Sequence, residues 1–546
     1  MEQNGQNGWF RLENSSRTGR TAPNYSPRSY MERMQQMHTR TSQDRRKYGR
    51  DCTDGEMPDI MPQTAAEYQP RTDTRPAMTI PRFGNVQPPR NSQPPVSSRE
   101  IKDSDTYRKG QQMSHSQAAG PGGSVLEQDG VLHETLETFV HSKLLERAVH
   151  VKGYGAFGFF QPYESMKAYT TLNFLQNPNQ RTPTLSRFSL AVSNKGTPDT
   201  SRNVRGFSTK FYTPGGNFDL LCNHIPVFLV RDALRFPEAI GALSPSPVNN
   251  LMDSSRFWEF AARAPEATHF ITWLYSDVGT IKSLRHLRAY GVNTYIWKNA
   301  DGVRRYVKYH WIPVAGTEFI DAEEAAKLAG ESPDIAGWDL YDTLARGETV
   351  EFELRVQLMH PDDAESLPYD PLDDTKIWSE EQFPLLPVGK LTLNRNPEDY
   401  KAQVEKLAFS PNNLLEGVEL SDDKMLQGRA NIYWDAQRRR LGPDFRSIPV
   451  NSEKGWTPNV VVTSGNGRHL DGTIQRSEIE RTENFLQAGE RYDSLSEQER
   501  EHLVRNIASE LCTAPMDTRR TVLGYFRKAS EDFAGQLEAA MQDQKE

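Results

Sequence analysis

Cysteine is almost absent: Cys52, Cys222 and Cys512 are the only three in 546 residues. None lies in a CxxC spacing, which argues against a disulfide framework or a structural zinc site. So few thiols fit a reducing, intracellular compartment. Long apolar runs are missing too, and none approaches the ~20 residues that cross a bilayer as a helix. The opening "MEQNGQNGWF" lacks the basic-then-apolar layout of a secretory signal, and the closing "MQDQKE" is not a peroxisomal address. We therefore expect a cytoplasmic protein, free or inside a packaged structure such as a spore. Several catalytic templates are absent as well: no P-loop, no GxSxG elbow, no HExxH and no GxGxxG after a strand. "DPLDDTK" (370–376) resembles a calcium loop only loosely and is set aside.

What is present is unevenly spread. Hydrophobic residues make up 36% and mean hydropathy is −0.73, both low for a chain with large cores. The deficit sits in residues 1–119, rich in Arg, Gln, Ser, Pro and Met and broken by turn-makers ("TIPRFGNVQPPRNSQPPVSS"). This segment reads as a disordered, low-complexity tail. Residues 1–110 hold 18 Lys and Arg against 13 Asp and Glu, so the tail is about +5 on a chain of net charge −8. Such a basic tail is either simply solvated or a contact for nucleic acid or an acidic partner.

Residues 120–149 read as an N-terminal arm, in which "VLHETLETFVHSKLLERAV" has the apolar spacing of a helix. Between 150 and 395 strand-like runs dominate: "HVKGYGAFGFF", "TLSRFSLAV", "RGFSTKFYTPGGNFDLL", "IPVFLVRD", then "NTYIWKNADGVRRYVKYHWIPV" around a hairpin-like Asn-Ala-Asp-Gly, and "VEFELRVQLM". So many strands with little helix between them predict an antiparallel barrel or sandwich. Residues 396–485 are loop-rich, a wrapping segment with one helix. Residues 486–546 are helical, with candidate capping boxes at Ser494/Glu497 and Ser496/Glu499 and with Leu503, Ile507 and Leu511 at i+4 spacing.

Four stretches carry chemistry. In "GRANIYWDAQRRRLGP" (428–443), Arg429, Tyr433 and Arg440 share one helical stripe, while Arg438 and Arg439 point elsewhere. A phenol titrates near pH ~10, and an arginine one turn away favours its phenolate. Alone, the stretch also reads as a solvated basic helix with one half-buried tyrosine. His150 stands at a helix-to-strand junction three residues after Arg147, although a lone histidine is more often structural. Arg187 and Ser189, two apart, share one face of a strand. Asn223 puts an amide in an apolar strand, where it needs a partner.

Together, "RAVHVKGYGAFGFF", "SRFSLA", "RGFSTKFYTPGGNFDLLCNHIPVFLVRD" and "GRANIYWDAQRRRLGPDFRSIPVN" resemble the tyrosine-ligated, monofunctional haem catalases. The resemblance runs in order from about Gly120 to about Asn451. It implies an α+β fold: an eight-stranded antiparallel β-barrel with an N-terminal arm, a wrapping segment and C-terminal helices, assembled as a homotetramer and holding haem b. It implies disproportionation of hydrogen peroxide to water and dioxygen, a protection against oxidative stress. Tyr433 falls at the proximal iron ligand, with Arg429 hydrogen-bonding its phenolate. Arg147, Arg187 and Arg440 fall where arginines meet the haem propionates. His150 matches the distal histidine, Asn223 the distal asparagine and Ser189 the serine that orients the imidazole; Phe228 and Phe236 match aromatic positions of that pocket.

Departures accompany these matches. Ala430, Asn431 and Ile432 replace the usual Leu-Phe-Ser, which leaves a peroxygenase, a hydroperoxide isomerase or a biosynthetic oxidase as the alternative reading. A third reading, a scaffold anchored by the basic tail, fits poorly with a complete set of site residues. His224 replaces an asparagine and predicts a second titratable group near the distal pocket. His269 matches a position that binds NADPH in many small-subunit relatives, but Val278, Ile312 and Glu380 replace polar or basic ones, so NADPH is not expected. The flavodoxin-like C-terminal domain of long-subunit relatives is not expected either.

Overall fold

Period-two alternation of apolar and polar residues gives strands with one face for a core, and here those strands close on themselves. The computed structural model describes residues 144–452 and 481–543, with four helical positions before them: Leu132, Glu134, Leu136 and Glu137. All fall within one compact unit, 113–546. The strands are β1 (Gly153–Pro162), β2 (Thr182–Leu190), β3 (Arg205–Thr213), β4 (Gly216–Asn223), β5 (Ala289–Tyr290), β6 (Tyr295–Lys298), β7 (Arg304–Pro313), β8 (Val350–Met359), β9 (Leu386–Arg395) and β10 (Val418–Leu420). Every pairing is antiparallel. The order β1-β2-β3-β4-β5-β7-β8-β9 returns to β1 and closes an eight-stranded barrel, while β6 continues beside β7 and carries β10. The expected hairpin forms between β6 and β7, with Gly302 at φ +80° supplying the left-handed residue.

The barrel interior is aromatic. Phe207 lies 4.4 Å from Phe188, 4.7 Å from Phe352 and 5.6 Å from Trp311, centroid to centroid, and none of the four is exposed. Between β4 and β5 come α1 (Phe236–Leu243), α2 (Ser254–Ala262) and α3 (Ala267–Leu274); between β7 and β8 come α4 (Ala322–Glu331) and α5 (Ile335–Ala345). The wrapping segment carries α6 (Lys424–Leu441), and the chain continues through α7 (Leu486–Asp493), α8 (Glu497–Leu511), α9 (Met516–Ala529) and α10 (Glu531–Asp543). The last four pack on α2 and α3 as a second core, into which Leu503, Ile507 and Leu511 are fully buried. Of the two candidate capping boxes, Ser496 with Glu499 forms; Ser494 instead donates its hydroxyl back to the Arg491 carbonyl.

The wrapping segment is pinned to the barrel by buried polar groups. Asp219 on β4 accepts from the Lys210 ammonium at 2.6 Å, the Ser410 N–H at 2.9 Å and the Asn413 amide at 2.6 Å. Asn451 ties the segment to itself, accepting from the Ala408 N–H and donating to the Lys406 and Phe445 carbonyls. The expected helix over 131–149 is corrected at its end: residues 144–149 are not helical. The reason is tertiary. The Arg147 guanidinium donates to the carbonyls of Val404, Glu405 and Leu407, which holds the arm flat against the wrapping segment.

Phe207→Ala should cost about 3–5 kcal/mol, a cavity in an aromatic core that cannot collapse onto a closed ring of backbone. The denaturant midpoint measures it, and a change under 1 kcal/mol would show that the interior repacks.

Candidate active site

Strand register assembles the distal group. Gly153 on β1 faces Ser189 on β2, Ser189 faces Gly206 on β3, and Gly206 faces Asn223 on β4, one row across four strands. His150 lies three residues before β1 with φ 61°, a left-handed conformation unfavourable to any residue with a Cβ. Its N–H donates to the Ala191 carbonyl at 2.7 Å. That turn swings the imidazole over the row, where Nδ1 lies 3.0 Å from the Ser189 hydroxyl. Gly206 is the floor beneath them: a Cβ there would stand 2.8 Å from His150 Nδ1 and 2.9 Å from Ser189 Oγ. Asn223 ends β4 and is half-buried rather than buried in an apolar strand. Among the described residues its amide has no hydrogen-bond partner, so it is free to meet a ligand. Phe228 and Phe236 stack with centroids 6.2 Å apart.

His150 is half-buried by surface, yet enclosed by protein on most sides. That enclosure, and then the charges of Arg187, Arg429 and Arg147, push its imidazole down to about 3. At neutral pH this favours the neutral imidazole. His224 does not add the second titratable group expected of it. It accepts the Arg205 N–H at Nδ1 and its Nε2 lies 2.9 Å from the Val278 carbonyl, and burial holds it well below the usual histidine range.

On α6 the predicted stripe forms. Arg429 donates to the Tyr433 hydroxyl at 3.0 Å, Arg440 is buried, and Arg438 and Arg439 are exposed. Burial opposes the charge of Arg429, but Tyr433 and Tyr295 outweigh it and raise the guanidinium above its ordinary value. Its other arm donates to the Asn293 side-chain oxygen, Oδ1.

Arg147, Arg187 and Arg440 also come together. Arg147 and Arg440 share the Glu405 and Leu407 carbonyls, and Arg187 donates to the Val151 carbonyl at 3.0 Å. Burial lowers all three guanidiniums, and for Arg187 and Arg440 neighbouring arginines add to it. Glu405, 3.2 Å from Arg147, is the one carboxylate paired with the cluster among the described residues. The Arg187 Nε has no acceptor among them. Three buried cations set against one carboxylate, with a donor left over, suit a ligand with two carboxylates, and the phenol of Tyr433 with its arginine suits an iron atom. The residues present therefore fit haem.

Comparison with known proteins agrees. The Catalase family model matches residues 105–489, beginning ahead of the Gly120 at which the motif resemblance starts, and a model described as Catalase-related immune-responsive matches 478–541. The catalase of Listeria innocua is 37% identical over 453 residues, which cover 78% of this chain and 93% of that protein. The catalase of Methanosarcina barkeri is 38% identical over 455 residues, 78% of this chain and 90% of the relative. Catalase-2 of Bacillus subtilis is 43% identical over 342 residues, 62% of this chain but only 50% of that protein. A solved bacterial catalase superposes with a TM-score of 0.75 at 33% identity, covering 80% of this chain and 94% of the other.

The chain belongs to the catalase family. It is a haem enzyme that disproportionates hydrogen peroxide.

His269, which matches an NADPH-binding position of relatives, is satisfied within the protein. His269 has Nδ1 3.0 Å from the Thr375 carbonyl and accepts the Trp273 indole N–H at Nε2, 3.1 Å. A nearby cavity of about 180 Å³, lined by Trp273, Tyr290, His310 and Trp378, has Arg288 bound to Glu380 at 2.9 Å on its wall.

Sequence reasoning missed Gly206, Asn293 and Glu405. A glycine inside a strand signals close approach of another group, and that signal was legible at Gly206. Gly206→Ala should lower peroxide turnover about 10²-fold while leaving thermal stability and the circular dichroism spectrum near those of the parent, because its Cβ displaces His150 and Ser189 rather than the core. Turnover within a few-fold of the parent would show that the pair can shift without penalty.

Proposed function

We propose that His150, Ser189 and Asn223 handle the peroxide in this catalase and that Tyr433 ligates the iron. The observation that carries this reading is the neutral imidazole of His150 held 3.0 Å from Ser189 in the register row that ends at Asn223. Bound haem supplies the two-electron redox chemistry of iron, which no side chain can replace. The chain supplies the rest. With its Nδ1–H donated to Ser189, His150 keeps a lone pair on Nε2. That atom accepts a proton from one peroxide oxygen and returns it to the other, which leaves as water. Positioned acid–base catalysis of this kind contributes ~10²–10⁴-fold. The Asn223 amide donates to the departing oxygen without competing for the proton. On the proximal side Arg429 donates to the Tyr433 oxygen that would ligate iron, and Arg147, Arg187 and Arg440 would hold the propionates.

We also propose that the enzyme is an intracellular homotetramer. No helix among the described residues is long and apolar enough to cross a membrane. Leu234, Val248, Leu251 and Met252, all more than half exposed, and Ile432 on α6 are the surface that further copies would cover.

The purified haem-loaded protein, without added reductant, is expected to release one dioxygen for every two peroxides. His150→Ala should cut turnover ~10²–10⁴-fold with haem retained. Since burial and the neighbouring arginines hold the imidazole well below its ordinary value, turnover should also show no inflection near the usual histidine value of ~6.5. Peroxide loss without gas, or a histidine-like inflection abolished by His150→Ala, would overturn the assignment.

NADPH binding should be weak or absent, because the histidine is satisfied within the protein and Arg288 already has a carboxylate. Fluorescence titration checks this, and low-micromolar affinity would contradict it.

A further inference from the structure

Behind Arg429 lies a group of buried acids that peroxide chemistry leaves unexplained. Asp374, in the "DPLDDTK" loop, and Asp423, the N-cap of α6, are each 1% exposed. One amide joins them: the Asn293 Nδ2 donates to Asp374 and, at 3.0 Å, to Asp423. The carbonyl oxygen of the same amide accepts from Arg429, which donates in turn to Tyr433. The two carboxyls are not equivalent. Asp423 also accepts the Thr294 N–H at 3.1 Å and the Leu426 N–H at 2.8 Å, so both its oxygens have donors. Asp374 Oδ1 has no donor among the described residues. The Asp374 side chain lies within hydrogen-bonding reach of Asp423.

A buried carboxylate oxygen without a donor is costly, whereas a carboxylic acid needs only an acceptor. We propose that Asp374 is kept as a carboxylic acid whose proton is shared with Asp423, so that the pair presents one negative charge, through Asn293, to the arginine that supports Tyr433. Asp374 is thus a positioning residue for the proximal side, acting through Asn293 and Arg429. The proposal rests on reading Tyr433 as the iron ligand.

Charges from every neighbouring element bear on the pair. Lys308 on β7 interacts with both acids, and its amine is turned to the Lys376 carbonyl at 3.1 Å. Arg429 on α6 and Tyr295 on β6 face it, and Asp370 and Asp373 share the loop, Asp373 being held by Arg231 at 3.2 Å. Burial first, then Asp423, drives the Asp374 carboxyl well above the ordinary range, despite the opposing pull of Lys308. The sign for stability follows. An unfolded Asp loses its proton near pH ~4 while the folded one keeps it, so this group costs stability increasingly as pH rises above that value.

The test uses the full, haem-loaded chain. Infrared spectra at neutral pH should contain a buried carboxylic-acid band that Asp374→Asn removes, and the Tm of Asp374→Asn should gain on the parent as pH rises above about 4. Absence of that band in the parent, or its survival in Asp374→Asn, overturns the proposal, as does a Tm lowered equally at every pH, the mark of a lost ion pair. Should Asp374→Asn fail to fold, Asp423→Asn examines the same proton from its acceptor side: the Asp374 band must shift. Asp423→Asn should also shift the ferric haem absorption spectrum, and an unchanged spectrum would cut the link to Tyr433. Tyr433→Phe separates the two readings. If it leaves the haem spectrum as in the parent, the ligand assignment fails while the infrared result stands.

Discussion

Barrel closure is the constraint on which the site depends. Eight strands that pair all the way around leave no free edge, so no strand can slip without breaking two ladders. The row from Gly153 through Ser189 and Gly206 to Asn223 is fixed by that closure. A slip of one residue at β2 would turn Ser189 and Arg187 to the opposite face together, separating serine from histidine and arginine from its partners. His150 lies outside the ladders and needs another fixture. Its left-handed backbone, a cost on the order of 1–3 kcal/mol, is held by the Ala191 carbonyl on one side and by the arm that Arg147 fastens on the other.

The same arginines serve two ends. They form a buried excess of positive charge suited to a ligand with two carboxylates, and two of them, Arg187 and Arg147, face His150 closely enough to depress its basicity. A dianion bound among Arg147, Arg187 and Arg440 would offset part of that field. The imidazole would then accept a proton more readily with cofactor in place than without it. Placing the anion clamp beside the base thus ties proton transfer to cofactor loading. The price is a clamp that destabilises itself while empty, which the carbonyls of Glu405 and Leu407 reduce by taking donors from two of the three guanidiniums.

What the sequence revealed was what is local. The stripe of Arg429, Tyr433 and Arg440 follows from helical period, the hairpin from Asn-Ala-Asp-Gly, and the α8 start from Ser496 and Glu499. Alternation announced the strands, and ordered motifs announced the family. The misreadings share one cause. The arm at 144–149 has helical spacing, but Arg147 finds its acceptors more than 250 residues away. His224 looked titratable because its partners, the backbone of Arg205 and Val278, are set by folding. Asn223 looked buried because its position at a strand end is settled by the turn that follows. Nothing in "DPLDDTK" indicates that its second adjacent aspartate will meet a helix cap about fifty residues later.

That meeting gives Asp423 two duties that pull the same way. As the N-cap of α6 it accepts the Leu426 N–H, and a negative charge there is favoured by the helix dipole. As the acceptor of the shared proton it presents the pair's charge, through Asn293, toward Arg429, six residues further along. Donors on both Asp423 oxygens, set against none on Asp374 Oδ1, favour the proton residing on Asp374. Helix position and proximal charge are set by one residue, so a change at Asp423 cannot alter one without the other. Asp374 has no such second duty, so its proton can be removed by substitution while the helix that carries the ligand stays capped.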